Sequence, residues 1–317
     1  MNIIKNRYLY FLISLLVILP GLVFMGLNWA KTKEGPLPLA IDFRGGSLLE
    51  VQFAGARPSQ EEVSSLYQEF STEQEDLSEP IVQPLDQDAY SIRSKAMSDE
   101  TKGKLIAEME TRFGSKVTVL NFTSVSPAIG AEVTKAAGFA VLMAATAILL
   151  YVWYAFRNVK HAYRYGTAAI IAMLHDVLVV VGAEAMFGYF LGWEADALFL
   201  TALLTVIGFS VHDSIVVFDR VRENSTVLRR VPYEAMVNHS IVQTLDRSIN
   251  TQLTVMLTLL ALALFGGEST RHFVIVLLVG IFSGTYSSIF NAAPILVVWE
   301  NEEWKTWFKR SPAEAAS

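Results

Sequence analysis

Six runs of about 20 mainly apolar residues punctuate the chain, at 8–27, 136–156, 166–187, 196–217, 247–266 and 273–298. A helix rising 1.5 Å per residue needs about that length to cross a hydrocarbon core of about 30 Å. The first run begins at Tyr8 behind Lys5 and Arg7 and closes on Leu27, Asn28 and Trp29. A cleaved leader has a shorter apolar region, about 7–15 residues, and a small-residue cleavage site. The run is therefore read as an uncleaved anchor.

Between the first and second runs the period changes. Residues 47–53 alternate, with Leu49, Val51 and Phe53 on one face, which predicts a strand. Ser59 and Glu62 form a capping box ahead of Val63, Leu66, Tyr67 and Phe70, spaced for one helix face. Residues 81–85 and 89–92 flank Asp86, Gln87 and Asp88 as a hairpin. Ser98, Asp99 and Glu100 open a second helix, with Leu105, Ile106, Met109 and Phe113 inward and Gly114 as its stop. Residues 117–122 make a last strand. The order βαββαβ is that of the ferredoxin-like split motif, a fold that carries many functions.

The expected architecture is thus a helical membrane protein with six spans and one extracytoplasmic α+β domain. Its parts are 1–30 (N-terminus and first span), 31–133 (the domain), 134–299 (spans two to six) and 300–317 (a tail).

Composition agrees: 52% of residues are hydrophobic, 18% charged, and the mean hydropathy is +0.38. The net charge of −6 sits in one place, since residues 31–135 hold 17 acidic and 11 basic side chains and the remainder is balanced. A nucleic-acid partner does not fit this balance, because polyphosphate binding needs clustered excess cation. The acidic domain is either a solvated module or a surface for an unfolded or basic client. With no cysteine and five histidines, thiolate chemistry is excluded and a metal site finds few ligands. There is no P-loop, catalytic triad or GxGxxG turn, so no enzyme activity and no cofactor is expected. Any work must draw on a source other than bound ATP.

Short loops orient the spans. One set of ends holds Lys5, Arg7, Arg157, Lys160, Arg164, Arg220, Arg222, Arg229, Arg230, Arg247, Lys305, Lys309 and Arg310; the other holds only Arg271. Both termini are expected in the cytoplasm and the 31–133 domain outside. Trp29, Tyr151, Trp153, Tyr189, Trp193 and Trp299 fall near span ends, where interfacial aromatics belong.

Ionisable groups inside a span are costly and call for a reason. Asp176, beside His175, lies about 18 Å beyond Arg164 along the third span. Asp213, beside His212, precedes Arg220 by about 10 Å, and Arg247 stands at the start of the fifth span. Asp213 is either a carboxylate fixed by Ser/Thr or by Arg247, or a titrating site on a water-filled path. Arg247 has a snorkelling alternative, and Asp176 a structural or secondary relay one. His175 and His212 read as packing partners, and Glu184 and Asp219 as groups near wet ends. Gly208, Ser210 and Ser214, then Thr251, Thr254 and Thr258, then Gly280, Gly284, Ser287 and Ser288, predict seams of close helix packing.

Several of these segments form known motifs. Residues 209–224, from Phe209 through His212, Asp213 and Asp219 to Asn224, resemble the fourth-span signature of SecF-type members of the SecD/SecF family of protein-export membrane proteins. Residues 41–46 (Ile41 to Gly46), 125–132, 174–177 and 247–251 resemble further motifs of that family, in its order. The resemblance implies half of a twelve-helix unit completed by SecD and related to the resistance-nodulation-division transporters. It implies partners in the SecY/SecE/SecG channel with its SecA motor, preprotein clients, and use of the proton-motive force in the inner membrane. It places the proton-coupling carboxylate and arginine at Asp213 and Arg247, with a further aspartate supplied by SecD. Asp176 joins them as a proton-relay candidate from its position within the span, and His212 and Asp219 are secondary candidates. His212 stands where the family often has Asn. Two rival readings remain: a half-unit of a small-molecule or lipid exporter of the same superfamily, and a passive subunit whose charges only fix helix register.

Overall fold

The computed structural model describes residues 2–305 apart from positions 34, 56, 73, 74, 87, 158 and 160. Gln87, Lys160, Lys309 and Arg310 lie outside the described residues. Two compact units emerge, Leu39–Phe139 and the combination of Met1–Pro38 with Ala140–Ser317.

The smaller unit holds α2 (Ile41–Arg44), β1 (Gly46–Phe53), α3 (Gln60–Glu69), β2 (Ile81–Asp86), β3 (Ala89–Ser94), α4 (Asp99–Phe113) and β4 (Val117–Val125). Its sheet runs β2-β3-β1-β4 with every neighbour antiparallel, the arrangement that βαββαβ dictates when each helix crosses to the same face. Register places Leu49 opposite Ile92 and Phe122, and Val51 opposite Tyr90 and Val119. Leu49, Val51, Phe53, Val63, Leu66, Tyr67, Leu105 and Met109 fill the core between sheet and helices. Ser59 and Glu62 cap α3 reciprocally, and Ser98 accepts from the Thr101 amide to start α4.

The paired glycines have a steric cause. Gly45 and Gly46 adopt φ of +78° and +133°. A Cβ on Gly45 would lie 2.6 Å from Cα of Pro127, and one on Gly46 2.7 Å from the carbonyl oxygen of Ser94. From the other side, a Cβ on Gly130 would lie 2.5 Å from the Gly45 nitrogen. The strap leading into β1 and the first turn of α5 (Pro127–Phe156) thus touch backbone to backbone.

Three acidic side chains tune this unit to pH. Asp76, hydrogen-bonded by Lys95 and Ser78, Glu62, held by the Ser59 amide and hydroxyl, and Glu75, held by Thr101 and Ser98, all lie below their ordinary values of 3.8 and 4.5. Carboxylates depressed by folding contribute stability that is present above the unfolded values and is lost as the pH falls through the folded ones. Strand amides of the intact chain are expected to keep constant hydrogen-exchange protection from pH 7 to about 5 and to lose it below about 4. Protection that stays level down to pH 2 would contradict this.

The larger unit comprises α1 (Arg7–Thr32), the rest of α5, α6 (Ala162–Leu191), α7 (Ala197–Val227), α8 (Tyr233–Phe265), α9 (Glu268–Ser287), a single π-turn (Ser288–Ala292) and α10 (Ala293–Glu300). Among the described residues six helical runs are long and apolar enough to cross a membrane, the last being Thr270–Glu300 across the π-turn. Helices α6, α7 and α9 are the most buried, while α1, α5 and α8 keep broad exposed faces.

Small residues let the central helices approach. Gly21 of α1 meets Gly182 of α6, where a Cβ on Gly21 would lie 2.6 Å from the Gly182 Cα. A Cβ on Gly280 would lie 2.1 Å from Val206 Cγ2, and one on Gly284 3.3 Å from the Ser210 Cα, so this GxxxG pair seats α9 on α7. Ser210 and Ser214 are buried in this seam, but the rest of the expected small-residue set on α7 and α8 is not used. Gly208 has open space around it, and Thr251, Thr254 and Thr258 are exposed. Thr254 and Thr258 bond to carbonyls of their own helix, at 2.8 and 3.0 Å, because the inward face of α8 lies on other residues.

Candidate functional site

Two carboxylates are enclosed where α6, α7, α8 and α9 meet, and their surroundings differ. Asp176 on α6 is fully buried. Ser283 donates to Oδ1 at 2.6 Å, joined by His175 Nδ1 at 3.0 Å, while Ser210 and Ser287 donate to Oδ2 at 2.5 and 2.6 Å. An ionised carboxylate offers about four acceptor positions. All four are used in the Nδ1–H tautomer of His175. Ser283 and Ser287 are four residues apart on α9, hence on one face; Gly280 and Gly284 bring that face onto α7.

Asp213 on α7 is 3% exposed and has one hydrogen bond, from Gln252 Nε2 to Oδ2 at 2.7 Å. Among the described residues Oδ1 has no partner. Gln252 ends an inward stripe on α8, Ser240, Thr244, Ser248 and Gln252, set four residues apart and all buried. Asn224 of α7 donates to Ser240 at 2.9 Å. The Ser248 hydroxyl and the Gln252 Oε1 are buried and unpartnered.

Arg247 does not reach Asp213. It precedes Ser248 by one residue, about 100° around the helix, and so points off the inward stripe. Arg247 is exposed at a cavity of about 520 Å³ shared with Tyr151, Asp219, Arg222 and Gln243. It makes no ion pair among the described residues. His212 is exposed on α7, and Asp219 is exposed and paired with Arg222 one turn on. Glu184 departs from its expected wet position. It is fully buried, with His272 Nε2 at 2.9 Å from Oε2 and no partner on Oε1. The reason is that α6 runs seven residues past it and α9 covers it.

The exposed sides of α7 and α8 are polar for membrane helices. Thr201, Thr205 and His212 lie along one, and Arg247, Thr251, Thr254 and Thr258 along the other. Hydrocarbon disfavours such stripes, which suit a neighbouring helix or a hydrated seam. Among the described residues no group of three or more His, Asp or Glu could hold a metal ion.

Together these features define a multi-pass membrane protein of the transport type, with one α+β insertion and carboxylates set between its central helices. Comparison with known proteins gives the particular family. Residues 105–302 match "Protein export membrane protein SecD/SecF, C-terminal", and residues 35–56 match "SecD/SecF GG Motif", which contains the Gly45–Gly46 strap. The chain is 52% identical to the protein translocase subunit SecF of Anaerolinea thermophila, over 100% of both chains. It is 46% identical to that of Thermobaculum terrenum, over 100% of this chain and 99% of the other. The crystal structure of SecDF from Thermus thermophilus, a translocon-associated membrane protein, superposes with a TM-score of 0.77 at 34% identity, covering 95% of this chain and 39% of that one. The chain belongs to the SecD/SecF family of protein-export membrane proteins.

Proposed function

We propose that this chain is a SecF-type subunit that works with a SecD-like partner to help the SecY/SecE/SecG channel and SecA export preproteins, drawing on the proton-motive force. Both termini face the cytoplasm, as the distribution of Lys and Arg indicates, and the Leu39–Phe139 unit faces outward. The observation that carries this reading is the contrast between the two enclosed carboxylates. Asp176 has every acceptor position filled, whereas Asp213 has one donor and a free oxygen, so of these two Asp213 is the group with room for a proton; Glu184, which also has an unpartnered oxygen, is set apart against His272. Arg247 and the polar stripes of α7 and α8 face away from the chain's own core, where a second six-helix half supplies their environment. The Thermus chain, of which this one spans 39%, has room for such a half.

In the working cycle Asp213 takes up a proton from the outer side and releases it to the cytoplasm. Arg247 approaches the ionised form once the partner closes the seam, and Asp176 holds α6, α7 and α9 together. The change in helix packing then drives the outer unit to bind and release its client. Only a difference in interaction energy between the two protonation states can shift such an equilibrium, and the changing hydrogen bonding of Asp213 supplies one.

Asp213→Asn and Arg247→Met, each co-expressed with the partner in sealed vesicles, are expected to lower export to the level seen without a proton gradient while ATP-driven export persists. Full gradient dependence in both variants would refute the relay. Normal export with reduced complex yield would favour the passive-subunit reading, and efflux defects without export defects the exporter reading.

A further inference from the structure

Resting on the reading of Asp213 as the titrating group, we propose that Gln252 is its positioning partner in both protonation states: its amide donates to the ionised carboxylate and, after rotating about its terminal bond, accepts from the protonated one. A carboxylate can only accept, whereas a carboxylic acid must also donate. A lysine or an arginine only donates and is matched to the charged form. A primary amide carries a donor and an acceptor at almost the same distance from its stem, so one side chain serves both forms. The terminal torsion of glutamine is broad and roughly two-fold. Exchange of Nε2 for Oε1 therefore requires no backbone movement.

The structure captures the donating arrangement, with Nε2 at 2.7 Å from Oδ2. The same arrangement leaves two buried groups unsatisfied, Gln252 Oε1 and, one turn earlier on the same face, Ser248 Oγ. Both residues are 3% exposed. Unsatisfied buried polar groups are unfavourable, and Gln252 Oε1 gains a partner in the other state. In the rotated amide Oε1 accepts the Asp213 O–H, and Nε2 takes the place that Oε1 held.

The step is a proton transfer alone. Hydronium gives its proton to a carboxylate oxygen of Asp213, forming the O–H bond and leaving water; release on the other side reverses it. The titratable and charged groups that neighbouring elements bring to this part of α7 are His175 and Asp176 on α6, Asp246 and Arg247 on α8, and Tyr286 on α9. His212 adjoins on α7 itself. None of these hydrogen-bonds Asp213.

The test is the pH profile of gradient-dependent export in vesicles carrying the chain with its partner. Gln252→Leu removes the donor of the ionised form together with the acceptor of the protonated one, and is expected to move the midpoint upward by about 0.5–1 pH unit, the amount by which a hydrogen bond to a charged group exceeds one to a neutral group. Gln252→Glu places a second carboxylate against the first and is expected to move it in the same direction. A role in packing alone would change the amount of active protein and leave the midpoint in place, which would overturn the proposal. Infrared difference spectra of the unsubstituted protein provide a measurement independent of variant folding. A glutamine amide band is expected to shift with the same midpoint as the carboxylic-acid band that Asp213→Asn removes; an amide band indifferent to pH would overturn the proposal. If Asp213→Asn retains full gradient dependence, the relay itself fails. If it loses that dependence while Gln252→Leu keeps the midpoint, only the role of Gln252 fails.

Discussion

Gly21→Val is expected to detach the first span from the bundle. Its Cβ would stand 2.6 Å from the Cα of Gly182, a backbone atom that no side-chain rotation can move aside. Carbon atoms rest at about 3.5–4.0 Å, so α1 and α6 must separate by about 1 Å where they now touch. Overpacking of this kind costs about 1–3 kcal/mol. In detergent the unfolding midpoint should fall by about 2–5 °C. Gly26→Val is the internal control, since a Cβ there meets nothing within 4 Å. Equal midpoints for the two variants would show that the close approach of α1 and α6 does not contribute as described. The same separation would disturb Asn28, whose amide donates to the Ala185 carbonyl at 2.9 Å next to Glu184.

Asp176→Leu should be more damaging. Three serine hydroxyls and an imidazole converge on a carboxylate with no solvent exposure. A leucine fits the volume and leaves those donors facing carbon. Removing one member of a buried charged network costs about 3–5 kcal/mol, enough to prevent accumulation of the folded chain. Asp176→Asn keeps the shape and one acceptor oxygen, and the hydroxyls can rotate to accept from its amide. It is expected to restore most of the folded yield measured by size-exclusion chromatography. Should Asn be as harmful as Leu, the charge itself holds the three helices together. Folded Asn protein without gradient-dependent export would instead promote Asp176 from a structural group to a member of the relay.

The soluble part of the fold was legible because its periods are short and unambiguous. Alternation at Leu49, Val51 and Phe53, the Ser59–Glu62 box and Gly114 each specify a local geometry that the larger fold has no reason to override. The spans were legible from length, but their helices continue beyond them, as α8 does from Tyr233 when the apolar run opens near residue 247. Hydropathy marks the hydrocarbon core and not the end of hydrogen bonding. At the site, Asp176 and Asp213 could be read because an acid in an apolar run is conspicuous. Their partners were harder, since serine and glutamine are unremarkable one at a time. The signal was present in the four-residue spacing of Ser240, Thr244, Ser248 and Gln252, and of Ser283 with Ser287. Threonines 251, 254 and 258 gave a competing polar series on the same helix, and composition alone does not say which series faces inward.

The π-turn at Ser288–Ala292 gives the last span two phases. Up to Ser287 its faces are set by the GxxxG contact and by the cage around Asp176. Within the turn Asn291 is paired with Ser14 of α1, at 2.8 and 3.0 Å. A π-turn carries one residue more than the α-helical path it replaces, so each side chain after it is offset by roughly 100° from where a continuous α-helix would aim it. The span thereby behaves as two gears on one shaft. Its first half meshes with the site around Asp176 and its last half with α6 and α8, while the wide turn between them meets the first helix and sets the angle at which the two trains are coupled.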